Sequence, residues 1–492
     1  MILSIDQSTS TTKGLVWDLD GKLLGRADVP HKQITTAQGW VEHDGMEILQ
    51  NTYKAAAQAI KKASIDPEKI KAIGISNQRE TAICWDRETG LPLYNAIVWQ
   101  CGRATDITNE LNYMSETIQQ KTGMPLSPFF SGAKFSWMIR NVNEVTAANK
   151  AGTLCCGTID SWLIFKLTGN FKTDYSNASR TQLLNLQSLV WDRSITNAFG
   201  INPASLAEIC MSDSHFGETD LGILPSPVPI HGVMGDSHSA LLANDCRKPF
   251  MAKATYGTGS SIMMNAGTTC PTPTGGAVAS IAWGLNNKVD YVLEGNINYT
   301  GAVIKWLVDD IELLDSPKNA GIISQTVDDT GGVYLVPAFT GLGAPYFNNN
   351  ARAAFLGMNS ATKKAHLIRA AEECIAYQIR DAVEAINSSS KKPISLLRVD
   401  GGPTKDSFLM GFQSDILNIP IEVSAIEELS GMGVAFCAAI AMGLCQELPI
   451  RPKQKIEPSM LATIRENLYK GWKNAVATIC AQRAPAVNGS EA

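Results

Sequence analysis

The sequence lacks several features that would place the protein in a specialised class. Its eleven cysteines are an odd number without a Cys-x-x-Cys pair, so neither a disulfide framework nor a zinc site is expected. The net charge of −5 provides no electropositive surface, so no nucleic-acid partner is expected. The Gly-x4-Gly-Lys-Ser/Thr motif of P-loop nucleotide-binding proteins is also absent from the sequence.

The sequence also lacks a long hydrophobic run. The longest nearly uncharged stretch, Gly431 to Cys445, is too short to span a bilayer, and its Ala, Gly and Met content predicts a buried helix. The N-terminus has no basic segment, and Asp6 falls where a signal peptide would be apolar. We therefore expect a cytoplasmic protein with reduced thiols and no membrane partner.

The sequence does have length and a regular alternation of patterns. Its 492 residues exceed one compact core, and 45% apolar residues favour two or three well-buried domains. Apolar runs of strand length alternate with amphipathic segments, which predicts an α/β fold. Asp44 and Glu47 stand at capping-box spacing ahead of a periodic apolar stripe, so a helix is expected to begin there.

The first eighteen residues, MILSIDQSTSTTKGLVWD, predict a hairpin with a hydroxyl-rich turn. This hairpin places the carboxylate of Asp6 and a group of backbone N–H donors at one strand end, which suits a polyphosphate bound with Mg²⁺. An ordinary edge hairpin with a polar turn is the competing interpretation. The segment 254–261, ATYGTGSS, is again followed by a strand, so it predicts a second phosphate turn in the other half of the chain.

Four further apolar runs end in polar clusters. The clusters begin at Asn77, Gln100, Asp236 and Asp400. In open α/β sheets ligands bind beyond the carboxyl ends of strands, so these clusters could converge on one cleft. Each cluster alone could equally be a solvated loop. The glycine-rich turn after Asp400 could lie beneath a nucleotide's base and ribose, although an ordinary strand-to-helix turn explains it nearly as well.

Ten motifs along the chain are similar to those of one enzyme family. They are IDQSTSTTKG, GWVEHD, ISNQRET, YNAIVWQ, FFSGAK, GTIDSWLIFKLTG, NASRT, TYGTG, VPAFTGLGAPY and FLMGFQSDIL. In this order, over nearly the whole chain, they resemble the FGGY carbohydrate kinases, and within that family the glycerol kinases most. The resemblance implies an α/β protein of two actin-like, ribonuclease-H-like ATPase domains. Residues 1–245 would hold the acceptor and Mg²⁺/phosphate site, residues 246–492 the nucleotide site, and ATP would bind in the cleft between them.

The resemblance also implies roles for individual residues. Asp236 matches the catalytic base, and phosphoryl transfer to an alcohol needs a group that orients or accepts the hydroxyl proton. Asp6 and Asp236 would hold Mg²⁺. The implied acceptor-binding residues are Arg79, Glu80, Trp99, Phe129, Asp236, Ser237 and Ser261. The residues implied to contact the nucleotide and its phosphates are Thr9, Ser10, Lys13, Gly257, Thr258, Gly301, Lys305, Gly402 and Asp406.

The sequence departs from the family pattern at several of these positions. Phe129 replaces a tyrosine, Ser237 a glutamine, and Ser261 a phenylalanine that packs on the carbon chain of glycerol. Loss of that aromatic wall, a contact typically worth ~1–3 kcal/mol, would enlarge the acceptor pocket. In the nucleotide site, Lys305 replaces a glutamine and Asp406 an asparagine.

We therefore expect ATP-dependent phosphorylation of a terminal hydroxyl of a small polyol, either glycerol or a longer polyol of four or five carbons. A ketose of the xylulose or ribulose type is the alternative acceptor. An actin-like ATPase would share the nucleotide turns but needs no Arg79–Glu80 pair. A non-catalytic sugar sensor has no use for Asp6 and Asp236, which are costly to keep in a cleft. Family likeness also favours a homo-oligomer, a dimer or a tetramer.

Overall fold

The computed structural model describes residues 1–346, 348, 350–449 and 453–481. In the first half of the chain the strands and helices are β1 (Ile2–Gln7), β2 (Thr11–Trp17), β3 (Leu23–Pro30), β4 (Ile34–Thr35), β5 (Val41–His43), α1 (Gly45–Ala63), β6 (Ala72–Asn77), β7 (Ala82–Asp86), β8 (Ala96–Ile97), α2 (Thr105–Glu110), α3 (Ser115–Thr122), α4 (Ser131–Asn141), α5 (Asn143–Ala151), β9 (Leu154–Thr158), α6 (Ile159–Thr168), β10 (Lys172–Asp174), α7 (Tyr175–Ser179), β11 (Leu184–Asn185), β12 (Val190–Trp191), α8 (Arg193–Ala198), β13 (Glu208–Cys210), β14 (Gly217–Thr219), β15 (Val228–Gly235) and α9 (Asp236–Ala243).

In the second half they are β16 (Ala252–Tyr256), β17 (Ser260–Gly267), β18 (Val278–Leu285), β19 (Lys288–Ile297), α10 (Gly301–Asp309), α11 (Ala320–Ser324), β20 (Tyr334–Val336), β21 (Ala354–Leu356), α12 (Lys364–Ser388), β22 (Leu397–Asp400), α13 (Ser407–Leu417), β23 (Ile421–Ser424), α14 (Leu429–Ala441), β24 (Lys453–Ile456) and α15 (Ala462–Ala481). Among the helices of the described residues, none combines the length and the apolar character needed to cross a membrane.

The two halves repeat one sheet arrangement. The main sheet of the first half has the strand order β14-β15-β6-β1-β2-β3, and that of the second half β18-β19-β17-β16-β22-β23-β24. β1 pairs antiparallel with β2 and parallel with β6, just as β16 pairs antiparallel with β17 and parallel with β22. The repeat confirms the similarity predicted between the two turns. The fold is the predicted α/β pair of actin-like, ribonuclease-H-like domains.

Local signals explain where α1 begins. The Asp44 side chain accepts hydrogen bonds from the backbone N–H groups of Met46 and Glu47, as expected of an N-cap. The capping box is not completed as predicted. The Glu47 carboxylate instead accepts from the backbone N–H of Lys32, in the segment between β3 and β4. A tertiary partner has therefore replaced the local one.

Helix α14 confirms the buried helix predicted from the uncharged run, but it packs on the sheet of the first half. Gly74 on β6 and Gly232 on β15 both face the Val434 carbonyl, and a Cβ on Gly74 would lie 2.5 Å from that oxygen. The surrounding core mixes apolar side chains of both halves, including Leu15 on β2 and Val292 on β19. A helix from the second half therefore covers the sheet face of the first.

The carboxyl ends of three parallel strands meet at one edge of the first sheet. Gln7 at the end of β1 lies opposite Asn77 of β6, and Asn77 lies opposite Gly235 of β15. This register brings Asp6 and Asp236 to the same edge. The predicted convergence of polar strand ends is thus confirmed for these three strands.

Candidate active site

Three charged side chains meet beneath the turn between β1 and β2. Lys13 on β2 lies opposite Asp6 on β1, and its Nζ is 3.7 Å from Oδ2 of Asp6 and 2.6 Å from Oε2 of Glu428, which precedes α14. Burial raises the pKa of Asp6 to about 6; Lys13 opposes this rise, and the charges of Asp236 and Glu428 add to it. Within the described part of the chain, the buried Oδ1 of Asp6 has no hydrogen-bond partner. A divalent cation would satisfy this oxygen.

The predicted phosphate turn is held in place from two sides. Trp99 donates from Nε1 to the hydroxyl oxygen of Thr9 at 3.0 Å, and Nε2 of His31 lies 2.8 Å from the Thr9 carbonyl oxygen. Ser10 is exposed, and its hydroxyl is 3.5 Å from that of Thr11. Trp99, which is predicted to bind the acceptor, therefore also contacts the predicted phosphate turn.

The second turn, between β16 and β17, packs on the start of α10. The Gly301 N–H donates to the Gly257 carbonyl at 2.9 Å, and the Ala302 N–H donates to the Thr258 carbonyl at 3.0 Å. A Cβ on Gly301 would lie 2.8 Å from the Gly257 oxygen, so only glycine allows this approach. Three of the residues predicted to contact the nucleotide are therefore in contact with one another.

The turn after β22 joins the same place. Pro403 lies 3.6 Å from the position that a Cβ on Gly301 would take. A Cβ on Gly402 would have no described atom within 4 Å apart from its neighbours in the chain. The backbone there is therefore open to a ligand. Four of the residues predicted to contact the nucleotide thus lie near one another: Gly257, Thr258, Gly301 and Gly402.

Lys305 and Asp406 are engaged elsewhere. The Lys305 side chain is 74% exposed and forms an ion pair with Asp309 one helical turn along α10. The Asp406 carboxylate caps α13, accepting from the backbone N–H groups of Phe408 and Leu409 at 2.9 and 3.1 Å. Both positions depart from the family pattern, and their contact with a nucleotide stays a prediction.

Three of the predicted acceptor residues, Arg79, Glu80 and Ser237, lie in one cluster with Asp236. Nε of Arg79 lies 3.5 Å from Oδ1 of Asp236 and 4.0 Å from Oε1 of Glu80. The same Asp236 oxygen accepts from the Ser237 N–H at 2.6 Å. Glu80 has a left-handed backbone with φ of 62°, which is uncommon outside glycine, and its carbonyl accepts from the Ser131 hydroxyl at 3.0 Å. The Asp236 side chain is 34% exposed, so a substrate can reach this carboxylate beside the buried Arg79.

The two aromatic residues predicted to bind the acceptor pack against each other. The ring centroids of Trp99 and Phe129 are 5.5 Å apart in an edge-to-face arrangement. The Phe129 carbonyl accepts a hydrogen bond from Nζ of Lys134, which is fully buried. Burial lowers the pKa of Lys134 to about 7. Lys134, which lies on α4, thereby links the Phe129 backbone to that helix.

Ser261 comes from the second half. It lies opposite Asn296 in the antiparallel pair of β17 and β19, so it shares a sheet face with Glu294, two residues away from Asn296. Its hydroxyl oxygen is buried and has no hydrogen-bond partner among the residues described. This face meets the first half where Nη1 of Arg79 donates to Glu294 at 2.8 Å.

Three charged residues of the site escaped the sequence analysis. Arg180 was seen only as part of the NASRT motif, yet it donates to both Glu80 and Glu294. Glu294 could have been found, because it directly follows the apolar run Tyr291 to Leu293 inside a strand. Glu428 could not, because two adjacent glutamates, Glu427 and Glu428, are typical of a solvated turn.

The sequence matches two models of one protein family and is similar to curated proteins over nearly its whole length. The N-terminal domain model of the FGGY family of carbohydrate kinases matches residues 1–243, and the C-terminal domain model matches residues 252–442. Glycerol kinase 1 of Thermotoga maritima is 45% identical over 484 residues, which cover 96% of this chain and 98% of that protein. The glycerol kinase of Carboxydothermus hydrogenoformans is 43% identical over 485 residues, with 96% and 97% covered.

Solved structures are similar over the same extent. Plasmodium falciparum glycerol kinase with ADP has a TM-score of 0.91 and 36% identity, with 98% of each chain covered. A ligand-bound xylulose kinase from Lactobacillus acidophilus has a TM-score of 0.89 at 24% identity, again over 98% of each chain, which shows the shared fold alone. With two matching domain models and relatives of this similarity, the chain belongs to the FGGY family of carbohydrate kinases.

Proposed function

We propose that this kinase transfers the γ-phosphoryl group of ATP to a terminal hydroxyl of a small polyol, with glycerol as the reference acceptor. The supporting observation is the position of Asp236, an accessible carboxylate at the start of α9 with Arg79 3.5 Å away and Asp6 at the same sheet edge. A carboxylate there can accept the proton of an acceptor hydroxyl as its oxygen attacks. The glycerol kinases that are 43–45% identical over nearly the whole chain support glycerol as an acceptor.

The buried pair Arg79 and Glu80 is proposed to hold the acceptor. A guanidinium donates and a carboxylate accepts, so together they suit two adjacent hydroxyl groups. Because both side chains are less than one-tenth exposed and already paired, little reorganisation is needed when an acceptor binds. Trp99 and Phe129 are proposed to pack against the carbon chain of the acceptor, and Ser237, in the first turn of α9, is proposed to contact the acceptor as well.

Mg²⁺ is the metal that we propose for the phosphate side. Oδ1 of Asp6, which has no partner among the described residues, fits a divalent cation, and Asp236 is the second proposed ligand. When bound, the ion would neutralise charge on the phosphates. Lys13 would add a point charge, and the turn with Thr9 and Ser10 would donate hydrogen bonds. The nucleotide is proposed to lie against Gly257, Thr258, Gly301 and Gly402.

An acceptor-dependence assay tests the proposal. ADP release is measured with ATP and Mg²⁺, alone and with glycerol, a tetritol, a pentitol or a pentulose. We expect turnover to rise at least about tenfold with a polyol, because acceptor binding completes the site. Turnover that no acceptor changes would instead indicate an ATPase, and binding without turnover would indicate a sensor.

A longer acceptor is the second candidate, and Ser261 favours it. Its buried hydroxyl has no partner in the described residues, so it could bond an additional hydroxyl of a four- or five-carbon polyol or ketose. We expect Ser261→Ala to lower kcat/KM for the longer acceptor several-fold and to leave glycerol unaffected. Ser261→Phe should favour glycerol. Equal effects on all acceptors would contradict this specificity.

We also propose the location, the domain boundary and the oligomeric state of the protein from its family resemblance. The protein would be cytoplasmic, its domain boundary would fall between residues 245 and 246, and it would form a dimer or a tetramer. Light scattering during gel filtration measures the oligomeric state directly.

A further inference from the structure

We propose that Glu294, which belongs to the second half, is the positioning residue that orients Arg79 and Arg180 in the acceptor site of the first half. This inference rests on the proposed function, because it assigns Glu294 a role in acceptor binding. Glu294 would not contact the reacting atoms itself. It would act through the two guanidinium groups.

Glu294 and Glu80 form a closed ring of alternating charges with the two arginines. Nη1 of Arg79 donates to Oε2 of Glu294 at 2.8 Å, and Nη1 of Arg180 donates to Oε1 of Glu294 at 3.1 Å. On the opposite side, Oε1 of Glu80 accepts from Nε of Arg180 and lies 4.0 Å from Nε of Arg79. Each carboxylate therefore bridges both guanidinium groups, so neither arginine can turn without breaking a contact with Glu294.

The ring is buried, and Glu294 is its least exposed member. Glu294 is 0% exposed, and Arg180 and Arg79 are 1% and 8% exposed. Burial opposes ionisation of Glu294, but the charges of Arg180 and Arg79 outweigh it and hold the pKa of the carboxyl well below its usual range. The Ser280 hydroxyl also donates to Glu294, and Nε2 of the buried His238 lies 3.8 Å from it. Such a fully partnered charge fixes geometry, because removing it leaves buried donors unsatisfied.

The position of Glu294 in the chain explains what this ring couples. Glu294 lies on β19, which pairs with β17, and β17 pairs with β16 around the second turn. Arg79 follows β6 in the other half and has Asp236 as its outer neighbour. The sheet that carries the nucleotide turn is thereby joined through one carboxylate to the acceptor site. Arg79 takes its place only when the two halves are packed together.

A matched pair of variants tests this role. Glu294→Gln keeps the shape but supplies an amide N–H₂ where an arginine donates, so one guanidinium must move. Glu373→Gln is the control, because Glu373 is also buried and accepts from an arginine, Arg369, at 2.8 Å. None of the contacts of Glu373 is a predicted site residue. For both variants, KM is measured for glycerol and for ATP, together with Tm and the glycerol dissociation constant by calorimetry.

We expect Glu294→Gln to raise the glycerol KM and dissociation constant about tenfold or more, with the ATP KM changed less than about threefold. Glu373→Gln should lower Tm by a similar amount and leave both KM values unchanged. Equal changes of the two KM values in Glu294→Gln, or the same glycerol KM in both variants, would overturn the proposal.

Ser280→Ala keeps the inference testable if Glu294→Gln does not fold. This variant removes one donor to Glu294 and leaves the charge ring, so a selective rise of about two- to fivefold in the glycerol KM is expected. An unchanged glycerol KM would overturn the role. Wild-type protein that binds glycerol without phosphorylating it would contradict the proposed function instead, while the dissociation constants would still test Glu294.

Discussion

At the scale of single residues, Asp236 is the group that we propose as the base in phosphoryl transfer. Asp236→Asn keeps the contacts with Arg79 and the Ser237 N–H in shape but cannot accept a proton. We expect the variant to lose about 10²- to 10⁴-fold in kcat, the usual contribution of a general base. The measurement is acceptor-dependent ADP release at saturating ATP.

Asp106→Asn is the control for this variant. Asp106 is also an acid in the first turn of a helix, α2, but it is exposed and lies outside the predicted site. Its kcat should stay within about twofold of the wild type, as for most surface substitutions. An Asp236→Asn protein of undiminished activity would exclude Asp236 as the base.

Lys134 predicts a pH dependence of stability. Burial lowers its pKa from the usual 10.5 to about 7, so between these values only the unfolded chain binds the proton, and stability rises with pH. Below about pH 7 the full cost of the buried charge is present. Lys134→Met has no such cost. The Tm of the variant minus the Tm of the wild type should therefore be more positive near pH 6 than near pH 9.

The exposed Lys150 on α5 provides the comparison for this prediction. Lys150→Met changes the same side chain in water, so its Tm relative to the wild type should hardly differ between the two pH values. A Lys134→Met difference that is constant with pH, or larger near pH 9, would contradict the buried-charge argument.

At the scale of elements, the contact between α14 and α9 predicts the cost of added volume. A Cβ on Gly433 of α14 would collide with the Ser239 carbonyl of α9, the helix that begins with Asp236. We expect Gly433→Ala to lose about 1–3 kcal/mol of unfolding free energy in urea denaturation, because overpacking displaces backbone. Its kcat should fall as well, because α9 begins with Asp236, the proposed base.

Gly411 supplies the opposite case. It lies inside α13. Apart from the backbone of that helix, a Cβ on Gly411 would have no described atom within 4 Å. Gly411→Ala should therefore gain about 0.5–1 kcal/mol from helix propensity. If both substitutions changed stability equally, close packing of α14 on α9 would not be the cause.

At the scale of the whole molecule, we expect the two halves to depend on each other for folding. The first sheet is covered by α14, so a fragment of residues 1–245 would expose apolar side chains such as Leu15 and Met234. We expect this fragment to be insoluble or to lack a cooperative thermal transition by circular dichroism. Co-expression with residues 246–492 should restore a soluble complex. A fragment 1–245 that melts cooperatively by itself would contradict the prediction.

Much of the fold and part of the site could be predicted from the sequence alone. The opening hairpin, the N-cap Asp44 and the buried helix at Gly431 all follow from short patterns. Strand periodicity, capping and turns depend on residues a few positions apart, so the sequence states them directly. The quoted motifs extended this to the family and to the sites that they contain.

The tertiary structure alone decided which distant charges meet. Arg79 and Glu294 are 215 residues apart, and Lys13 and Glu428 are 415 apart, so no local pattern could pair them. The same holds for Glu47, which bonds Lys32 rather than closing its capping box. Such contacts depend on how the two sheets and α14 pack, and a buried charge is stable only with the partner that this packing supplies.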